Sequence, residues 1–251
     1  MSPDRLSRRG FAKAAATLAF PAIVPSRVLG KSAPSNLIQV AQIGCGRIAR
    51  SMEFPGILKH SGIARYVAVC DVDTIRLQDG KEFLERAYAA KFGSNGYASI
   101  KTYRDYREML EDKSIDAVAI STPDHWHAQP AIEAALAGKD IFLQKPASLT
   151  IREGRQMADI VKQTGRIFQL GSQQRSDAHF RLACELVRNG RIGKVKEIYI
   201  GLPEDPPGEE EPEMPVPPNL DYDMWLGSTP YVYYTEKRVH PQSSDPKLRY
   251  D

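Results

Sequence analysis

From residue 37 onward, short apolar runs alternate with stretches of helical period. Residues 37–43, 66–71, 117–122, 141–144 and 166–170 are mostly apolar and end at polar or turn residues. The runs are nearly continuous rather than alternating, which suits strands buried on both faces of a parallel sheet. Between them, residues 128–137 read as a helix stopped by Gly138. Thr150-Ile151-Arg152-Glu153 fits a capping box and opens a helix that runs to Gly165. The β-α-β-α order predicts an open α/β sheet with right-handed crossovers. Further on, the helical stripe Phe180, Ala183, Cys184 and Val187 reads as core.

The pattern changes after residue 190. Residues 195–202 alternate in polarity and predict a strand of a different sheet. Residues 203–220 hold seven prolines and six acidic residues, the composition of an extended surface loop. The tail, 221–251, carries Trp225 and four tyrosines between 231 and 250 but shows no closing element. These shifts predict a first domain over 37–170 and, over 171–251, the start of an incomplete α+β domain.

Charge separates the first thirty residues from the rest. The chain has 251 residues and a net charge of +3, but residues 1–30 hold five cations and one anion. The remainder has 29 cations against 30 anions and no basic stripe with interleaved aromatics, so nucleic acid is not an expected partner. Arg8-Arg9-Gly10-Phe11-Ala12-Lys13, followed by a mildly apolar stretch, resembles a twin-arginine export signal. Residues 1–30 are therefore read as a signal peptide. The expected location is periplasmic or extracellular, reached in folded form. No apolar run approaches the roughly 18–20 residues of a membrane span. Cys45, Cys70 and Cys184 lie far apart and suggest neither a disulfide framework nor a metal site.

Gly44-Cys45-Gly46-Arg47-Ile48-Ala49 follows the first predicted strand and opens a helix. The first glycine permits a tight turn, the second lets backbone approach a pyrophosphate, and the small Ala49 permits helix packing. Backbone N–H groups of Gly46, Arg47 and Ile48 at the helix start suit the anion. Asp71 ends the next strand, 25 residues after Gly46, where its carboxylate would accept both ribose hydroxyls and repel a 2′-phosphate. The combination predicts a Rossmann-type, doubly wound sheet binding NAD, with NADP as the alternative and Arg76 as the residue that would change the preference. An ordinary tight turn and a helix-capping Asp71 are the plainer readings of the same residues.

Thr122-Pro123-Asp124-His125-Trp126-His127 ends the third predicted strand and Gln144-Lys145-Pro146 the fourth, both on the edge where such sheets bind ligands. With these motifs, Gly171-x-x-x-Arg175 and Trp225-Leu226-Gly227-x-x-Pro230-Tyr231, the sequence resembles the Gfo/Idh/MocA oxidoreductases. The resemblance runs from about residue 37 to 200. It implies that Thr122, Pro123, Asp124 and His127 line the nicotinamide side, that Gln144 and Lys145 adjoin the cofactor, and that Lys145 assists proton transfer from a substrate hydroxyl. It implies a sugar or cyclitol substrate near Gln173, Arg175 and Trp225, and a homo-oligomer for the full-length protein. The implied activity is hydride transfer from a CH–OH group to nicotinamide. The alternatives are a redox-neutral NAD-dependent glycosidase or lyase, and a non-catalytic NAD-binding sugar sensor. The sequence departs from the family in two ways. Gln144 stands where the family has Glu, and the family's later catalytic His is expected beyond Asp251. Taken by itself, Lys145 is equally a solvated lysine at a strand end.

Overall fold

The computed structural model describes residues 36–93, 99–202, 208 and 210–243. The proposed export segment, residues 1–30, lies outside the described residues. Strand β1 (Ile38–Ile43) is followed by β2 (Ala64–Cys70), β3 (Lys101–Tyr103), β4 (Ala117–Ile120), β5 (Asp140–Leu143) and β6 (Phe168–Leu170). They form one sheet in the order β3-β2-β1-β4-β5-β6, and each pairing is parallel. Ile43 pairs with Cys70 on one side and Ile120 on the other, so β1 and β2 end level with β4. The chain leaves β1 toward β2 and β3, then returns to β4 on the opposite side. A crevice opens at the carboxyl ends of β1 and β4, where the winding reverses.

The helices are α1 (Phe54–Lys59), entered through a π-helical turn at Ala49–Glu53, α2 (Thr74–Phe92), α3 (Tyr106–Glu111), α4 (Ala128–Leu136), α5 (Ile151–Thr164), α6 (Ala178–Arg188) and α7 (Tyr222–Leu226). The capping box at Thr150 and Glu153 is formed, and α5 stops at Gly165 in left-handed conformation. Because side chains alternate along a strand, the sheet feeds two cores. Ala41, Ile43, Ile120 and Leu143 pack with Met109, Ala131, Ala135 and Met157 from α3, α4 and α5. Val40, Tyr66, Val69 and Ala119 pack with Phe54, Leu77, Leu84 and Tyr88 from α1 and α2.

Two expectations fail beyond β6. Residues 195–202 form no strand, and Ile200 is 80% exposed. No described strand lies alongside to supply a ladder, and unpaired backbone N–H and C=O groups are then better served by water. The stripe on α6 is not core: Phe180 and Val187 are 55% and 44% exposed. Residues 219–242, by contrast, pack against the sheet's carboxyl edge. Leu220 bridges Asp73, and Leu220, Tyr222, Leu226 and Tyr234 bury one another in a small core of their own.

Candidate active site

The glycine turn is built by what surrounds it. Gly44 has φ +84°, and a Cβ there would lie 2.6 Å from the Ser121 carbonyl oxygen, so only glycine lets the turn pass the end of β4. Its N–H donates to the Cys70 carbonyl at 2.8 Å. Buried Gln42, from inside β1, donates to the Gly44 carbonyl at 3.0 Å and to the Ser121 hydroxyl at 3.1 Å. Asp71 holds the turn from the other side, one carboxylate oxygen accepting the Cys45 N–H at 2.7 Å and the other the Asp73 N–H at 2.8 Å. Burial raises the Asp71 carboxyl above its ordinary pKa, against the pull of those two N–H groups and the Arg76 guanidinium. Arg76 Nη1 lies 2.9 Å from the point a Cβ on Gly46 would occupy, which places this cation beside the turn.

A cavity of about 330 Å³ lies against the turn. Gly44, Gly46, Arg47, Ile48, Asp71, Thr122, Pro123 and Trp225 line it together, so eight of the residues singled out by sequence meet at one place. The set fits a dinucleotide. Gly44 and Gly46 present bare backbone, the helical stretch starting at Arg47 begins with N–H groups that have no partner within the helix, and Asp71 stands one strand away.

The other predicted residues lie elsewhere. Asp124 begins the short turn Asp124–Trp126 and is exposed. His127 is 1% exposed, with Nε2 2.9 Å from the Thr122 carbonyl oxygen and Nδ1 on that of Pro146. It ties the loops after β4 and β5 together instead of lining the cavity. Gln144 is buried, and its amide donates to Glu53 Oε1 at 2.6 Å. Burial raises the Glu53 pKa, opposed by that hydrogen bond. Gln144 and Gln173 line a second hollow of about 760 Å³ on the sheet face over β4, β5 and β6. Lys145 is exposed, its N–H donates to Gln144 Oε1 at 3.2 Å, and its bond to Pro146 is cis. Arg175 lies exposed on the turn Gln173–Ser176. Among the described residues, no group of three or more His, Cys, Asp or Glu side chains converges as metal ligands. No described helix is long and apolar enough to cross a membrane.

Residues 38–172, more than half of the chain, match the Gfo/Idh/MocA oxidoreductase family's NAD-binding Rossmann domain. The chain belongs to this family. Residues 207–245 match the family's C-terminal alpha/beta domain. Myo-inositol 2-dehydrogenase of Thermotoga maritima is 31% identical over 185 residues, 74% of this chain and 48% of that protein. Scyllo-inositol 2-dehydrogenase (NAD(+)) of Bacillus subtilis is 40% identical over 112 residues, 43% of this chain and 32% of that protein. A crystal structure of scyllo-inositol dehydrogenase from Lactobacillus casei, with bound NAD(H) and scyllo-inositol, superposes with a TM-score of 0.53 at 28% identity, covering 62% of this chain and 42% of that one. The chain spans about a quarter to a half of the length of the curated relatives it matches.

Within this member of the family, several residues at the site carried no readable signal. Gln42 sits in an apolar strand, and only the fold shows that its amide bonds to the glycine turn. Glu53 ends the π-helical turn after the glycine turn, and only the fold shows that it accepts from the Gln144 amide. His240, in the tail that shows no closing element in sequence, lines the cavity.

Proposed function

We propose that this chain carries the cofactor half of a nicotinamide-dependent oxidoreductase acting on a hydroxyl of a sugar or cyclitol. The observation that carries the reading is the convergence of the glycine turn, Asp71 and the Thr122-Pro123 loop on one cavity at the reversal of the sheet. The chemistry a bound nicotinamide would supply is a hydride acceptor for the substrate's carbinol carbon. The chain's own residues do the rest. Backbone N–H groups of Gly46, Arg47 and Ile48 bind the pyrophosphate, and Asp71 accepts ribose hydroxyls with the lone pairs the backbone leaves open. His127 and the Gln144–Glu53 pair fix the loops after β4 and β5, which positions Lys145 beyond the cavity to take the hydroxyl proton. Inositol dehydrogenases among the relatives support a polyol substrate.

The test is NADH formation by the full-length protein from a panel of inositols and hexoses, with Lys145→Ala made in that protein alongside. The expected result is NADH with a polyol, and a kcat reduced about 10²–10⁴-fold in the variant, the usual contribution of general acid–base help. Release of free monosaccharide without NADH would replace this reading with redox-neutral chemistry. Full turnover in Lys145→Ala would remove the lysine from it.

A further inference from the structure

The segment 219–242 crosses the carboxyl edge of the sheet and is moored at two places. At the first, on the loop between β2 and α2, the Thr74 N–H donates to the Asn219 carbonyl at 2.9 Å and the Asp221 N–H to the Val72 carbonyl at 3.1 Å. There Asp73 takes the Asn219 amide at 3.0 Å and lies 2.8 Å from His240 Nε2. At the second, on the turn after β4, the Trp225 carbonyl accepts from Trp126 Nε1 at 3.0 Å and lies 2.7 Å from His125 Nε2. Gly227, at φ +57°, lies flat against the Trp126 ring, where a Cβ would come within 2.5 Å.

From this segment, Met224, Trp225, Val239 and His240 line the same cavity as Gly46 and Asp71. The crevice of the sheet makes one wall and the segment makes the other. Asp71, the ribose partner, sits at this end, and Val72, Trp126, Met224 and Val239 offer apolar sides of the kind a purine ring needs. We propose that this strap is the second wall of the cofactor site, enclosing the adenosine half of the dinucleotide and setting how slowly the cofactor leaves. The inference rests on the dinucleotide reading above and adds to it residues from outside the nucleotide-binding domain. A wall that must lift before release acts on the dissociation rate more than on association.

The chain's two tryptophans, Trp126 and Trp225, both line the cavity, so intrinsic fluorescence reports its occupancy. The experiment measures stopped-flow dissociation of ADP-ribose and binding of nicotinamide mononucleotide, in the unaltered chain, Gly227→Val and His240→Ala. Gly227→Val drives a side chain into the Trp126 ring, and His240→Ala removes a roof residue and its hold on Asp73. ADP-ribose is expected to leave both variants at least roughly tenfold faster, with mononucleotide binding unchanged. Should Gly227→Val unfold, judged by circular dichroism, His240→Ala decides alone. Equal ADP-ribose dissociation rates in the unaltered chain and the folded variants overturn the strap while leaving the dinucleotide site intact. An unaltered chain that binds neither ADP-ribose nor NAD overturns both.

Discussion

Gly44 shows how much of the site one residue determines. Its positive φ and its distance from the Ser121 carbonyl leave no room for a side chain, and the turn it makes sets the backbone that Gly46, Arg47 and Ile48 present to the cavity. Gly44→Ala adds both a left-handed non-glycine residue and a clash with backbone. It is expected to cost about 1–3 kcal/mol of stability and to weaken NAD binding, read by urea unfolding and by titration of the refolded protein. Unchanged stability would mean that β4 retreats freely. The glycine turn was legible in sequence because such a turn needs glycine whatever its context. Glu53 was not, because its meaning depends on Gln144, 91 residues away, whose amide it holds.

Asp73 does comparable work between elements. Its carboxylate caps α2, accepting the Ile75 and Arg76 N–H groups, and also meets His240 and Asn219 of the strap. Burial alone would raise its pKa, but hydrogen bonds from His240 and Asn219, the His240 charge and the Ile75 N–H hold it well below the carboxylate range. A carboxyl depressed in the folded state gives stability that is present above its unfolded pKa and is lost as pH falls through the folded value. Stability is therefore expected to decline as pH drops below about 4. Asp73→Asn keeps the cap and removes the charge. It should lower the urea midpoint at neutral pH and flatten the acid decline, and an acid decline identical to that of the unaltered chain would contradict this role. Elements with strong one-dimensional signals were readable: the apolar runs of β1 and β4, and the capped α5. β3 escaped notice because Lys101–Tyr103 is a three-residue edge strand with two exposed positions. The strap escaped because backbone hydrogen bonds and a glycine's fit against an indole leave no periodicity. The α6 stripe misled because apolar spacing shows that a face can be buried, not that the partner face is present.

At the scale of the molecule, the parallel sheet gathers loops that are distant in sequence. The turns after β1, β2 and β4 meet at one cavity, while those after β5 and β6 carry Lys145, Gln173 and Arg175 outside it. This division matches a site whose adenosine and pyrophosphate portion is enclosed and whose reacting end opens toward Lys145. On the proposed function, this cavity is an NAD site whose selectivity Asp71 sets. Calorimetric titration of the chain with NAD and with NADP, repeated with Asp71→Ser, tests it most directly. One NAD bound per chain, weaker binding of NADP, and a narrowed difference between the two in the variant are expected. NADP bound more tightly than NAD by the unaltered chain, or no binding of either, would contradict it.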